Sequence, residues 1–198
     1  MNICVIPARG GSKRIPQKNI KDFNGRPIIS YSIEAALNSN CFDRVIVSSD
    51  DRDIINISKQ YGAEAPFIRP AVLSDDYVGI IPVVKHAIEK IENKKNSVEN
   101  VCCLFATAPF IRSEVIFNAF TKFAQSNAKY CFSITSFPFP IQRALKISKK
   151  RVKMFNPDFY YSRSQDLEKS YHDAGQFYWG KAKAFKDEIP LFSEASIP

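Results

Sequence analysis

The chain has 198 residues, 45% hydrophobic and 24% charged, a composition that excludes a disordered or fibrous protein. Its formal charge of +8 favours anionic partners, which could be nucleotides or nucleic acid. The longest uncharged runs, such as Val101 to Ile111, fall short of the ~20 apolar residues of a membrane helix, so no membrane partner is expected.

Ile3 to Ile6 reads as a buried strand of a parallel sheet. It breaks at Pro7 into a loop with Gly10, Gly11 and Ser12 among the cations Arg9, Lys13, Arg14 and Lys18. The glycines permit backbone conformations that turn successive N–H groups into one concavity, a cradle for a polyphosphate. Gly10-Gly11 is not the Gly-x-Gly-x-x-Gly of dinucleotide binders. The order Gly-Gly-Ser-Lys is not a Walker loop either. The chain starts on this strand with no basic leader, so a cytoplasmic location is expected.

Asn24-Gly25 marks a turn, and Pro27 suits the first position of a helix whose apolar face runs from Ile28 to about Asn38. Arg44 to Ser48 predicts a second strand, and Asp50 or Asp51 can cap the next helix, which stops at Gly62. Ala65 to Ile68 predicts a third short strand, followed by Arg69-Pro70 and a helix from Ile80 to about Lys95 carrying His86. Val101 to Leu104 is a buried strand, with Ser113 a candidate cap for the helix beyond it. Tyr130 to Thr135 alternates as another strand. Ala144 to Ile147 and Val152 to Phe155 form a hairpin around Lys149-Lys150. Strands alternating with helices predict an α/β fold with a mostly parallel sheet, whose ligands sit at the carboxyl ends of the strands. The five cysteines lack a Cys-x-x-Cys pair, and four lie in apolar runs. They read as reduced structural thiols rather than metal ligands. With no helix-turn-helix, zinc finger or aromatic RNA-binding pattern, no nucleic-acid partner is expected.

Ala8-Arg9-Gly10-Gly11-Ser12-Lys13-Arg14-Ile15-Pro16-x-Lys18-Asn19 resembles the signature of the sugar-acid cytidylyltransferases. The resemblance continues through Arg69-Pro70-x-x-Leu73, which in that family contacts cytosine, and through Phe105 to Pro109. At Phe105 the sialate members carry a glutamine facing the sugar acid, so a different sugar is implied. The segments Phe137 to Arg143 and Tyr171 to Trp179 are most similar to the branch of the family acting on pseudaminic acid.

The resemblance implies one domain over 1–198 with a Rossmann-like, three-layer nucleotidyltransferase fold and a small dimerisation segment at about 137–172. It implies transfer of CMP from CTP to the 2-hydroxyl of a nonulosonic acid, pseudaminic acid first and legionaminic or sialic acid as alternatives, in a homodimer. A non-catalytic nucleotide-binding protein is the reading from another class. Ala8, Arg9, Gly10, Gly11, Ser12, Lys13, Asn19 and Arg69 would bind the nucleotide, with Arg9 and Lys13 catalytic. Phe105, Arg163, Gln165, Tyr171, Asp173, Gln176 and Phe177 would bind the sugar, Arg163 matching its carboxylate. Mg²⁺ is the implied cofactor. The Asp-x-Asp pair that helps hold it in sialate enzymes has no counterpart before Pro198, so an incomplete chain is expected and its metal ligands stay open.

Overall fold

A computed structural model describes all of residues 1–198. It begins on β1 (Asn2–Pro7), followed by the two-residue strands β2 (Asp22–Phe23) and β3 (Arg26–Pro27), which pair antiparallel across Asn24-Gly25. Then come α1 (Ile28–Asn38), β4 (Arg44–Ser48), α2 (Arg52–Gln60), α3 (Ile80–Ile91), β5 (Asn100–Leu104), α4 (Ser113–Ala124) and β6 (Tyr130–Ser136). The hairpin β7 (Leu145–Ser148) and β8 (Arg151–Met154) precedes β9 (Tyr171–Lys181), α5 (Ala182–Lys186) and β10 (Ser196–Ile197). Two compact units result. One comprises Met1–Phe132 with Gly175–Pro198, and the other Ser133–Ala174.

The larger unit is a Rossmann-like α/β fold around a six-stranded sheet ordered β10-β6-β9-β5-β1-β4. β1 runs parallel to both β4 and β5, and β10 parallel to β6, while β9 pairs antiparallel with β5. β1 and β5 lie inside the sheet, which is why both are apolar on both faces. Helices α1, α2 and α4 form one layer, and α3 packs with α5 and against β1. Trp179, fully buried, is the largest residue of the core; it stacks on Phe42 at 4.9 Å and donates from Nε1 to the Ile116 carbonyl at 3.2 Å. No helix is long and apolar enough to cross a membrane.

Several elements differ from the sequence-based expectation. The segment 65–68 is not a strand. Single bridges join Glu64 to Ile46 and Ile68 to Ser49, and Pro66 between them has no N–H to extend a ladder. Helix α3 ends at Ile91, because Asn93 turns the chain by accepting the Lys95 and Asn96 amides on its side chain. Ser113 is the first residue of α4 and caps nothing, the cap position belonging to Arg112.

The smaller unit carries the predicted hairpin, shifted by one residue. Lys149 and Lys150 take positive φ of 50° and 61°, the left-handed pair that a tight two-residue turn between twisted strands requires.

Candidate active site

The carboxyl ends of β1 and β5 border a cavity of about 310 Å³. Its lining includes Arg9, Ser12, Lys18 and Asn19 from the loop after β1, and Arg69, Asp75 and Asp76 from the segment after α2. Phe105 to Thr107, after β5, and Val78 to Ile80, leading into α3, line it as well. Parallel strands end together, so loops distant in sequence converge there.

The loop after β1 is anchored on both sides. The Ala8 amide donates to Ser48 O at 3.0 Å, and buried Asn19 donates from Nδ2 to Arg9 O at 3.0 Å. Asn19 therefore shapes the loop. The Gly10 amide donates to Asp50 Oδ1 at 3.1 Å, and the Ser12 amide to Gly10 O at 2.9 Å. Of the three amides from Gly10 to Ser12, only that of Gly11 has no protein acceptor. Gly10 has a steric reason to lack a side chain, since a Cβ there would meet Asp51 Oδ2 at 2.5 Å.

Asp76 draws the loop's cations together. Arg9 Nη2 lies 2.7 Å from Asp76 Oδ1, and Lys13 Nζ pairs with Asp76 Oδ2. Arg9 also donates through Nη1 to the Asp75 carbonyl. The hydrogen bond from Lys13, with help from Arg9, holds the Asp76 carboxyl below its usual range. Asp75 is spent on its own loop, accepting the Tyr77 and Val78 amides at 2.8 Å each.

Arg69 is only 3% exposed. Its amide donates to Ser49 O at 2.8 Å and its Nε to Ser74 Oγ at 3.0 Å, while Nη2 sits 3.7 Å from Asp50 Oδ1 and makes no hydrogen bond. Burial lowers the pKa of this guanidinium, and the Arg9 charge adds to that, while Asp50 works the other way. A buried donor fork on the wall of a cavity is a recognition element for carbonyl or phosphate oxygens.

The loop after the first strand and the buried arginine both lie within a stretch that matches a known family. The family model described as "Cytidylyltransferase" covers residues 3–191. The chain belongs to the cytidylyltransferase family. It is 52% identical over 98% of its length to the pseudaminic acid cytidylyltransferase of Campylobacter jejuni, covering 84% of that protein. It is 38% identical over 98% of its length to a bifunctional Helicobacter pylori protein named pseudaminic acid cytidylyltransferase and UDP-2,4-diacetamido-2,4,6-trideoxy-beta-L-altropyranose hydrolase, covering 37% of it. Among solved structures, a CMP:2-keto-3-deoxy-manno-octonic acid synthetase complexed with CTP aligns with a TM-score of 0.72 at 18% identity, over 98% of this chain and 80% of that one. That likeness concerns the fold.

The remaining candidate residues of this cytidylyltransferase fall in different places. Phe105 lines the cavity, its ring edge-on to Tyr178 at 5.6 Å and its carbonyl held by Ser32 Oγ at 2.8 Å. Gln176 accepts the Phe105 amide on its backbone carbonyl at 2.9 Å. Phe177 is 2% exposed and belongs to the core. Arg163, Gln165, Tyr171 and Asp173 lie in the smaller unit. There Arg163 pairs with Asp166 at 2.7 Å, while Gln165 and Tyr171 line a second cavity of about 410 Å³. His86 packs edge-on to Phe67 at 5.1 Å and does not line the first cavity.

Sequence reasoning did not foresee the part played by Asp76. Nothing in the local pattern of Asp75-Asp76 marks that role, and only the return of its segment to the loop after β1 gives Asp76 its partners. No group of three or more His, Cys, Asp or Glu is placed to hold a metal ion. Asp76 is a carboxylate of the cavity that could join a hydrated, phosphate-carried cation. Magnesium accepts such a donor set, since it keeps several waters and takes one or two protein carboxylates.

Proposed function

We propose that the chain transfers CMP from CTP to the 2-hydroxyl of a nonulosonic acid, pseudaminic acid, with release of pyrophosphate, for glycosylation of flagellin or the cell surface. The observation that carries the reaction class is the convergence of Arg9 and Lys13 on one anionic group, Asp76, beside the cavity walled by Arg69. The identity of 52% along nearly the whole chain to a pseudaminic acid cytidylyltransferase supports the sugar. The CMP-N,N'-diacetyllegionaminic acid synthase of Legionella pneumophila, by contrast, matches only 59% of the chain at 38% identity.

In this reading the triphosphate displaces Asp76 and takes over Arg9 and Lys13, with the Gly11 N–H as a further donor. The two cations neutralise charge as it grows on the departing pyrophosphate, the transition-state contribution expected of preorganised donors. Arg69 and the walls around Val78 to Ile80 hold the cytosine. The sugar hydroxyl is then aligned for in-line attack, and positioning rather than covalent catalysis supplies the rate. Asp76 would help to hold a magnesium ion, which would supply additional charge neutralisation when bound.

The reading extends to a homodimer in the cytoplasm. Leu145, Ile147, Val152 and Phe155 on and beside the hairpin are 60%, 81%, 65% and 63% exposed, an apolar surface that a second copy would cover. Sedimentation at micromolar concentration tests this, and a monomer would refute it. The reaction is tested by pyrophosphate release from CTP with each purified nonulosonic acid in turn. Release with pseudaminic acid supports the proposal, whereas release with legionaminic or sialic acid alone reassigns the sugar. CTP binding without release in any mixture would point to a nucleotide-binding protein without catalysis.

A further inference from the structure

Three consecutive residues after β4 perform three separate tasks. Ser49 O accepts the Arg69 amide at 2.8 Å. Asp51 caps α2, accepting the Asp53 and Ile54 amides at 2.8 and 3.0 Å. Asp50, between them, contributes nothing to the cap. Its Oδ1 accepts the Gly10 amide at 3.1 Å and stands 3.7 Å from Arg69 Nη2. A single oxygen thus meets the loop after β1 and the arginine on the cavity wall.

The two contacts are of different kinds. The Gly10 contact requires an acceptor, which a neutral amide oxygen also supplies. The Arg69 contact requires charge, because a guanidinium with 3% exposure has left water and its Nη2 has no hydrogen-bond acceptor. A buried ion deprived of its counter-charge is strongly destabilised where it stands and moves toward solvent. Arg9 carries like charge and its effect on Arg69 is repulsive, which makes the balancing carboxylate more important.

We propose that Asp50 is a positioning residue that anchors both recognition walls of the cavity, fixing the Gly10 amide of the phosphate loop and holding the Arg69 guanidinium against the base. The inference rests on the nucleotidyl-transfer reading above. Since Asp51 provides the helix cap and the β4 register lies upstream, loss of Asp50 leaves the fold's own supports in place.

The test separates the two contacts by variant and by probe. Asp50→Asn keeps an acceptor for Gly10 and removes the charge facing Arg69, whereas Asp50→Ala removes both. Inorganic tripolyphosphate engages the phosphate wall alone, and CTP engages both walls. In calorimetric titrations, Asp50→Asn is expected to weaken CTP about tenfold or more, the scale of an unpaired buried charge, with tripolyphosphate changed less than about twofold. Asp50→Ala is expected to weaken both ligands. In turnover, Asp50→Asn raises KM for CTP far more than it lowers kcat. In an Arg69→Gln background the same change adds nothing further, as coupled residues require. CTP affinity unchanged in Asp50→Asn would overturn the proposal. So would equal losses for both ligands accompanied by a fall in Tm, or additive effects with Arg69→Gln. Wild-type protein that binds tripolyphosphate but not CTP would instead refute the underlying reading, and this control is measured first.

Discussion

Asp76 Oδ1 lies 2.7 Å from Arg9 Nη2, and the other oxygen of the same carboxylate meets Lys13. In the proposed reaction, a phosphate of CTP would take the place of this bridging carboxylate. Replacing Asp76 with Asn should therefore free Arg9 and Lys13 and tighten metal-free tripolyphosphate binding severalfold, with the difference shrinking as salt rises. Weaker binding would mean that Asp76 assists the anion rather than competing with it. The Asp76 pKa is depressed, so the bridge is complete at neutral pH and is lost as pH falls through that lowered value. Acidification toward that value should release the 74–78 loop, readable as faster amide exchange at Tyr77 and Val78.

Lys13→Ala should lower CMP-sugar formation by ~10²-fold, the scale of losing one preorganised charge-stabilising donor. Lys13 is an exposed side chain, so the variant should unfold at the wild-type temperature. Near-normal turnover in a folded Lys13→Ala protein would remove this residue from the mechanism.

Gly10→Ala probes the fit between the loop after β1 and the start of α2. The new Cβ would stand 2.5 Å from Asp51 Oδ2 and 2.9 Å from Asp51 Cβ, so either the loop or the cap must shift. CTP binding should drop at least tenfold, with a stability loss of about 1 kcal/mol, the ordinary worth of a helix cap. Retention of full CTP affinity would mean that the loop tolerates displacement.

Gly180→Ala addresses the core in the same way. Its Cβ would lie 2.5 Å from Tyr130 Cδ1 and 2.7 Å from Phe185 Cε2, two rings that are themselves fully buried. Overpacking of this kind costs about 1–3 kcal/mol. Chemical denaturation should show a lower midpoint with an unchanged slope.

Alkaline pH should destabilise the fold in two stages. Burial pushes the Cys102 and Cys103 thiols well above their ordinary value of 9.0 and the Tyr130 phenol up to about 12. These groups are raised acids held neutral in the fold. The stability they contribute is complete below the unfolded pKa and lost as pH rises above it. Denaturation midpoints should fall from about pH 9 as the thiols ionise in the unfolded chain, and fall more steeply above about pH 10 as tyrosine follows. Cys103→Ala should remove part of the first stage.

Local signals served the repeating elements well. β1 and β5 were readable because strands buried on both faces are written as unbroken apolar runs, and α1 because its apolar positions recur at the helical period. The Lys149-Lys150 turn followed from two short strands flanking it. The segment 65–68 misled because its β-like composition says nothing about whether a neighbour is available along its whole length. It found only single bridges at its two ends. The Asn93 turn was hidden because an Asx side chain competes with helix only where packing lets it.

By itself the sequence determined the alternation of strand and helix, the cationic glycine loop after the first strand and the motifs that identify the family. These are properties of neighbouring residues, encoded by periodicity and turn chemistry. The tertiary structure decided which charges meet. Asp50 reaches back 40 positions to Gly10 because β1 and β4 end at the same edge of the sheet, and Asp76 returns to Arg9 and Lys13 because the bridge between Ile68 and Ser49 ties its segment to the end of β4. No local pattern marks which of four aspartates, Asp50, Asp51, Asp75 or Asp76, will cap a helix, close a turn, balance an arginine or bridge two cations. That choice is made by distance in the folded chain.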